Sequence, residues 1–413
     1  MINKLFIMLI LSFISCNSNT VKSISKLKFE NYEFKLNGFE WEGNPYNFSA
    51  YIRDTVFPSD GPQKAACEFS YIGDIENLHK YWDSQSSKKG TLSQKQIDSF
   101  ALFNASNAID YILKMSKDYQ VVIINEGHHI PQHRVFTTHL LDGLKKQGFK
   151  HLGLETYLAN EKNDSLLQVN GYPTLKTGYY TKEPQFGNLV RVAHNKGFKV
   201  FGYESEGHTD GKEREINQAK NIKAYMDKYP NEKILIHCGF DHGLEGELGG
   251  NWEKAMAGRL TEFTGIDPLT INQVKYSEKS SRQLENPFYQ LTDLDEPSVF
   301  INQDGKVFGE YKKGEWFDIT IFHPRSKKYN RPVWMTYGER QEVDIEFKDT
   351  EIDCPCLVFA YKAGEEIGAA VPYDIQETND KIVKMVLDKS DFEIVVWNEK
   401  GKAMKSQIKN KKR

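Results

Sequence analysis

The feature that most constrains the fold is an alternation of short apolar runs with amphipathic stretches between residues 118 and 275. Such an alternation is typical of parallel strands joined by helical crossovers. The predicted strands cover residues 121–125, 151–154, 199–203, 234–237 and, with a fainter pattern, 269–274. The predicted helices cover residues 131–147, 184–196, 212–229 and 252–263. The sequence therefore predicts an α/β domain with a central, mostly parallel sheet and flanking helices.

The segments on either side of this domain have different patterns. Residues 31–117 combine a strand-like alternation of aromatic residues over 32–36 with a helical apolar stripe over 93–117. They predict an N-terminal β element followed by a helix that packs on the sheet. Residues 276–340 are predicted to extend the central domain. Residues 341–413 contain short apolar runs between turns and predict a C-terminal β-rich domain that resembles a β-sandwich.

The N-terminus has the features of an export signal. Lys4 precedes an apolar run over residues 5–14, too short to span a bilayer, and Ser15 and Cys16 follow it. This order resembles a bacterial lipoprotein signal over residues 1–16, in which the cysteine is acylated. An ordinary signal peptide that is cut nearby is the alternative. We expect an exported protein, lipid-anchored at Cys16 to a bacterial membrane on its periplasmic or cell-surface face, with residues 17–30 as a linker.

The charge balance bears on the expected partners. The chain of 413 residues has a formal net charge of −3, built from many charges of both signs. It lacks the basic surplus that would favour binding to nucleic acid. The expected partners are a small-molecule substrate and, through the lipid anchor, a membrane.

Ionisable residues follow the predicted strands where those strands end. Glu126 follows the first strand, Glu155 the second and Glu204 the third, and His242 follows the fourth after a Gly-Phe-Asp turn. Because ligands bind outside the carboxyl ends of parallel strands, these side chains are expected to meet at one edge of the sheet. Glu126 and Glu155 are expected on neighbouring strands, where Arg214 or a metal ion would offset their mutual repulsion.

Histidines are concentrated in the same region. Nine of the eleven histidines lie between His128 and His242, and His128 and His129 are adjacent at the predicted start of a helix. A neutral imidazole beside a carboxylate such as Glu126 can accept a proton from water. The same side chains would also suit a divalent metal ion, and the spacing alone leaves both interpretations open.

The order of these motifs resembles the erythromycin esterase family and, more broadly, the superfamily that also contains the haem-binding lipoprotein ChaN and the Tiki/TraB proteins. The matching segments are Asn125-Glu126-Gly127-His128-His129, Leu154-Glu155, Gly202-Tyr203-Glu204, residues 214–221 and residues 239–242. The resemblance covers about residues 118–275. It implies a functional set made of Glu126, one of His128 and His129, Glu155, Arg214 and His242. By this resemblance, the first-motif histidine of a hydrolase would activate water.

The sequence departs from the family pattern at several points. Asn125, Glu204 and Gly239 stand where the family has glycine, aspartate and histidine. The spacing in the esterases selects His129 as the first histidine, whereas the spacing in ChaN selects His128 with His133. The esterases carry a long helical insertion that forms the macrolide cleft, but here Arg214 follows Glu204 by only ten positions. A macrolide is therefore a poor candidate for the substrate.

Three functions remain open from the sequence. The first is an exported hydrolase that attacks an ester or a related bond with the functional set described above. A metal-dependent hydrolase similar to the Tiki proteins is a variant, in which Glu126, His128, Glu155 and His242 hold an ion that acidifies water. The second is a ChaN-like surface lipoprotein that binds haem or iron. The third is an inactive member of the superfamily whose β region binds a partner.

Overall fold

The computed structural model describes residues 45–159, 167–205, 207, 211–326, 331–348 and 350–409. The predicted signal and anchor cysteine, the linker and the strand expected over residues 32–36 lie outside these ranges. Within them, no helix is long and apolar enough to cross a membrane.

The central sheet has eight strands. They are β1 (Asn104–Asn107), β2 (Val121–Glu126), β3 (Phe149–Leu158), β4 (Lys199–Glu204), β5 (Lys233–Gly239), β7 (Leu269–Tyr276), β8 (Ser298–Ile301) and β10 (Ile319–Phe322), while β6 (Glu245–Gly246) and β9 (Glu315–Trp316) pair with each other outside it. Their order in the sheet is β1-β8-β10-β7-β2-β5-β3-β4. The strands from β10 to β4 are parallel, and β8 runs antiparallel to both of its neighbours. The predicted, mostly parallel sheet is confirmed.

Helices cover both faces of this sheet. The helices are α1 (Phe57–Tyr71), α2 (Ile75–Trp82), α3 (Gln94–Phe100), α4 (Ala108–Met115), α5 (Pro131–Lys146), α6 (Pro184–Asn195), α7 (Gly211–Lys228), α8 (Met256–Thr264) and α9 (Pro287–Gln290). Val122 and Ile124 of β2 lie in the core beneath α5 and α6, whereas Val121 and Ile123 lie in the core beneath α7 and α8. A strand that is buried on both faces needs a continuous apolar run, which is the pattern that the sequence shows.

The N-terminal segment differs from its prediction. From Ser49 to Trp82 the described chain is mostly helical, where the sequence predicted an N-terminal β element before the helix of residues 93–117. Phe48, Ile52 and Val56 are all buried and are spaced four residues apart, which places them on one face of a helix. The alternation of aromatic residues upstream masked this helical spacing.

The helix predicted over residues 93–117 is interrupted. It consists of α3, the edge strand β1 and α4, and β1 pairs antiparallel with β8. The side chain of Asn107 ends the strand and caps α4 by accepting a hydrogen bond from the backbone N–H of Asp110. Because the helix α4 begins directly after the strand β1, the apolar stripe in the sequence continues from one element into the next.

Beyond β7 the chain first completes the central sheet with β8 and β10 and then forms antiparallel sheets. The strands of these sheets are β11 (Gln341–Glu346), β12 (Cys356–Lys362), β13 (Asp374–Thr378), β14 (Ile382–Leu387), β15 (Phe392–Asn398) and β16 (Ala403–Ile408). β11 pairs with β14, and the others form a sheet in the order β13-β12-β15-β16. Val343 and Met385 of the smaller sheet share a core with Val358 and Val396 of the larger one. The predicted C-terminal β-rich region is confirmed.

The order of the central strands decides which side chains can meet. β5 pairs with β2 on one side and with β3 on the other, so that the carboxyl ends of all three strands lie side by side. Glu126 on β2 and Glu155 on β3 are therefore separated by β5, and the expectation that they lie on neighbouring strands is wrong. Order along the chain predicts pairing poorly here, because the later strand β5 inserts between the two earlier ones.

Candidate functional site

Glu126 lies at the end of β2, where the chain turns toward α5. Its buried carboxylate accepts two hydrogen bonds from Arg134, from Nε to Oε2 at 2.6 Å and from Nη2 to Oε1 at 2.7 Å. Nδ1 of His128 lies 3.0 Å from Oε1. Burial alone would raise the pKa of Glu126, but the charge of Arg134 and these hydrogen bonds hold it well below its usual range. Glu126 is therefore an ionised acceptor.

Arg134, which the predicted set did not contain, fixes this carboxylate from the first turn of α5. Its side chain is 0% exposed, and Nη1 donates to Oε2 of Glu183 at 3.0 Å. The carboxylate of Glu183 also caps α6 by accepting from two backbone N–H groups. The sequence held a signal for this, because Arg134 stands three and seven positions before Thr137 and Leu141 on the buried face of α5. A buried arginine needs a buried anion.

His128 is oriented by Glu126. An ionised carboxylate only accepts hydrogen bonds, so Nδ1 of His128 donates to Glu126, and Nε2 is the basic nitrogen of the neutral ring. The ring stacks on Tyr180, with centroids 3.9 Å apart, and its side chain is 15% exposed. Nε2 lies close to the backbone of Gly239, since a Cβ atom on that glycine would come within 2.4 Å of it. The basic nitrogen thus lies at the carboxyl edge of the sheet and is partly accessible to solvent.

His129 lies in a different environment, although it is adjacent in sequence. Its ring is 1% exposed and stacks face to face on Trp82, with centroids 3.6 Å apart. Neither ring nitrogen has a hydrogen-bond partner among the described residues. Burial lowers the pKa of His129 well below its ordinary value. His129 is a neutral packing group behind Trp82 and is not joined to the charged residues.

Arg214, on α7, connects the ends of β3 and β4. Its Nη2 donates to Oε1 of Glu155 at 2.6 Å and to Oε2 of Glu204 at 2.5 Å. The backbone N–H of Gly239 donates to the other oxygen of Glu155 at 2.5 Å. Burial alone would raise the pKa of Glu155, but His242, His128 and Arg214 lower it to about 2. The side chain of Arg214 is 28% exposed, so this cluster reaches the solvent.

His242 lies against the same guanidinium. Its Nδ1 is 2.9 Å from Oε2 of Glu215, a fully buried carboxylate of α7, and therefore donates to it. Its Nε2 is 2.9 Å from Nη1 of Arg214 and 3.5 Å from Oε1 of Glu155. Burial alone would lower the pKa of His242, but Glu155 and Glu215 raise it above its ordinary value. Because a guanidinium only donates hydrogen bonds, Nη1 of Arg214 donates to Nε2, and His242 can take up a proton there only when that bond is broken, with Glu155 beside it to stabilise the imidazolium.

His237 lies beneath Glu126 at the end of β5. Its Nε2 is 3.6 Å from Oε2 of Glu126, too far for a hydrogen bond, and it has no hydrogen-bond partner among the described residues. Burial lowers the pKa of His237 to about 4, so its ring is neutral near pH 7. It packs beneath the carboxylate without adding charge to the site.

The structure brings together five of the six predicted site residues. These are Glu126, His128, Glu155, Arg214 and His242, and only His129 is separated from them by its packing against Trp82. Of the two adjacent histidines, only His128 contacts Glu126. Several residues at the site were not predicted, and they share the role of fixing the others. They are Arg134, Tyr180, Glu183, Glu215 and His237.

The donor set is a poor fit to a metal ion. Within the part of the chain that the structure describes, no group of three or more histidine, cysteine, aspartate or glutamate side chains is arranged to hold one. Two of the four proposed ligands are already engaged, since Glu126 is bonded to Arg134 and Glu155 to Arg214. An ion at this position would have to displace an arginine from a carboxylate, which brings a second positive charge close to the first.

Comparisons with known proteins extend the description of the fold only. No protein-family model matches the sequence, and no curated protein matches it significantly. The type III effector HopBA1 is 13% identical over 44% of this chain and 94% of that chain, with a TM-score of 0.30. RRSP, a MARTX toxin effector domain from Vibrio vulnificus CMCP6, is 13% identical over 62% of this chain and 49% of that chain, with a TM-score of 0.31.

ChaN of Campylobacter jejuni, which binds haem cofacially, is 11% identical over 52% of this chain and 91% of that chain, with a TM-score of 0.30. The chain is therefore structurally similar, at low identity, to ChaN and to toxin effector domains. No argument about activity, substrate or ligand follows from similarity at this level.

Proposed function

We propose that this protein is a hydrolase that attacks an ester or a related bond, with His128 as the general base that activates water. The observation that carries the proposal is the hydrogen bond of 3.0 Å between Nδ1 of His128 and the buried carboxylate of Glu126. That bond sets the tautomer, so Nε2 carries the lone pair that accepts a proton from water. Glu126 then stabilises the imidazolium that forms, and Arg134 keeps Glu126 ionised.

The second cluster supplies the positive charge that such a reaction requires. Attack of water on an ester carbonyl places negative charge on the carbonyl oxygen, and preorganised donors at that point lower the barrier. The guanidinium of Arg214, whose side chain is 28% exposed, is the cation nearest to Glu155 and His242. If Arg214 turns from Nε2 of His242 toward the substrate, that nitrogen is free to take up a proton and return it to the leaving oxygen.

The resemblance to the erythromycin esterase family supports the same chemistry, and the short connection between Glu204 and Arg214 argues against a macrolide.

We also propose that the protein acts outside the cytoplasm as a lipoprotein anchored at Cys16. The order of Lys4, the apolar run, Ser15 and Cys16 supports this proposal. Cys16→Ser should move the full-length protein from the membrane fraction to the soluble fraction, and an unchanged distribution would contradict the anchor.

The test of the hydrolase uses the same substitution at two adjacent positions. His128→Phe keeps a ring that can stack on Tyr180 but removes the base, so hydrolysis of a panel of small chromogenic esters should fall by about 10²- to 10⁴-fold. His129→Phe is the matched control, because it keeps the ring that packs on Trp82 and should leave kcat within about twofold. Equal losses in the two variants would contradict the assignment of the base.

Chelation separates the metal-free mechanism from its metal-dependent variant. The proposal expects the same rate before and after treatment with a chelator, and also after zinc or manganese is added back. If hydrolysis disappears on chelation and returns with one ion, the metal-dependent mechanism is supported and the metal-free mechanism is refuted.

Haem binding is the alternative function implied by the resemblance to ChaN. A Soret band that forms with haemin and disappears in His128→Phe, in a protein that hydrolyses no ester, would support it.

A further inference from the structure

Four aromatic or imidazole rings form a corner beside His128. Trp82, at the end of α2, lies over the carboxyl edge of the sheet and is parallel to Phe240, with centroids 5.5 Å apart and planes 9° apart. His129 stacks on Trp82 at 3.6 Å and lies 6.5 Å from Phe240. These three distances place Phe240 mainly to the side of Trp82, in a parallel plane that is displaced from the plane of the indole. The two rings thus form a stepped aromatic surface.

The base lies beside this surface. The ring of His128 is perpendicular to that of Phe240, with centroids 5.1 Å apart, and Tyr180 stacks on His128. A group that binds on the surface formed by Trp82 and Phe240 would therefore lie next to the ring of the base.

The surface is partly exposed to solvent. Trp82 and Phe240 are both intermediate in exposure, although their neighbours His129 and Gly239 are buried. His129 covers one face of Trp82, so the accessible part of the indole belongs to its other face and its edge. The fold also holds Phe240 there at a backbone cost, because its φ of +40° lies in the left-handed region that favours glycine. The side chain of Asn125 secures this conformation by donating to the carbonyl of Phe240 at 2.6 Å.

We infer that the surface formed by Trp82 and Phe240 is a substrate subsite that binds a planar aryl group, so that the substrate is an aryl-bearing ester or a related compound. The inference rests on the hydrolytic function proposed above. A planar aryl ring gains more from stacking on aromatic side chains than a puckered aliphatic ring of equal area does. A sugar ring would need hydrogen-bonding side chains around its edge. Of the two rings that border this surface, His128 uses Nδ1 to bond to Glu126 and His129 is buried.

The first arm of the test measures binding without turnover. Calorimetry compares phenylacetate with cyclohexylacetate, which have equal charge and similar size but differ in the flatness of the ring. Wild-type protein should bind phenylacetate about five- to tenfold more tightly, as expected for one stacking contact. Trp82→Leu should remove this preference and Trp82→Phe should retain it. Trp316→Leu, at an exposed tryptophan on β9, is the matched control and should bind both acids as the wild type does.

The second arm measures hydrolysis of methyl phenylacetate and methyl cyclohexylacetate, whose carbonyl groups are similarly reactive. The aryl preference should appear in KM and should disappear in Trp82→Leu with little change in kcat. If both esters are hydrolysed and Trp82→Leu alters neither KM nor binding, the subsite is refuted while the hydrolase stands. If neither ester is hydrolysed but phenylacetate binding depends on Trp82, the hydrolase is refuted while the aryl site stands. Equal binding of the two acids to folded wild-type protein overturns the inference.

Discussion

Two clusters of charged side chains flank Gly239 at the carboxyl edge of the sheet, and they differ in access to water. In the cluster around Arg134 the guanidinium is 0% exposed, and its partners Glu126 and Glu183 are almost as deeply buried. In the cluster around Arg214 the arginine side chain is 28% exposed and that of Glu204 is 20% exposed. The first cluster is part of the core, whereas the second one opens to solvent.

This difference gives the two arginines different tasks. A buried ion pair stabilises little by itself, but the loss of one partner leaves an uncompensated charge in the core. Arg134 therefore maintains the fold and the ionisation of Glu126, and through Glu126 the orientation of His128. The side chain of Arg214 is partly exposed, so a substrate could approach it from solvent. The same residue type thus acts as support in one cluster and as a candidate contact in the other.

The largest effect is expected when the buried cluster is broken. Arg134→Met leaves Glu126 and Glu183 without their cation and should lower the free energy of unfolding by about 3–5 kcal/mol. Arg214→Met is the matched change in the other cluster, where Glu204 is 20% exposed and Glu155 keeps the backbone N–H donor of Gly239, and should cost less, about 1–3 kcal/mol. Urea denaturation of both variants measures the contrast. Similar losses would show that exposure does not distinguish the clusters.

The next effect concerns Gly239, the point at which the clusters meet. A Cβ atom there would lie 2.3 Å from Cε1 of His128 and 3.3 Å from Oε2 of Glu155, so Gly239→Ala must displace the base. A misplacement of about 1 Å can cost about 10²-fold in rate, and we expect a loss of that size in kcat. Gly249→Ala is the control, because no atom lies within 4 Å of the added methyl group. A Gly239→Ala variant with full activity would mean that His128 can move freely, contrary to its hydrogen bond to Glu126.

The central sheet was predictable because its strands are buried on both faces, which requires the unbroken apolar runs seen at residues 121–125 and 234–237. The N-terminal helices were not, since Phe48, Ile52 and Val56 show their four-residue spacing only when the aromatic residues upstream are set aside. The insertion of β5 between β2 and β3 was also beyond reach. Pairing depends on how the crossovers pack, and a sequence pattern does not encode that order.

Some residues of the candidate site could likewise be predicted from the sequence, and others could not. The strand-end residues Glu126, Glu155 and His242 could be selected because the ends of parallel strands converge by geometry. The choice between His128 and His129 could not be made, because it depends on which ring α2 covers with Trp82, a contact between distant segments. Arg134 was overlooked because an arginine in the first turn of a helix usually lies in solvent.

The two clusters should also respond to pH in opposite directions. The pKa of His237, beside Glu126, is lowered to about 4, so its stabilising effect is present above pH 6.5 and declines as pH falls toward 4. The pKa of His242 is raised above 6.5, so its effect is complete below pH 6.5 and is lost as pH rises through the raised pKa. Unfolding free energies between pH 5 and 9 should therefore show a shallower alkaline decline in His242→Gln and a shallower acid decline in His237→Gln. The remaining declines come from other groups, such as Glu245, whose pKa is raised to about 8, and His79, whose pKa is lowered to about 4. Glu155 does not interfere, because its window lies between pH 4.5 and about 2.

The smallest change in the free energy of unfolding is expected at His129, which lies outside both charged clusters. Both of its ring nitrogens are buried without a hydrogen-bond partner among the described residues, and each such group costs about 1–3 kcal/mol. His129→Phe removes this cost but adds volume to a packed site, which costs a similar amount, so the free energy of unfolding should change by less than about 1 kcal/mol. The ring that stacks on Trp82 is kept. His128→Phe should be less stable than His129→Phe, because it leaves Glu126 with one hydrogen-bond donor fewer in the core. If urea denaturation instead shows a loss above about 2 kcal/mol for His129→Phe, then His129 makes a polar contact that stabilises the fold, and the contrast between the two adjacent histidines fails.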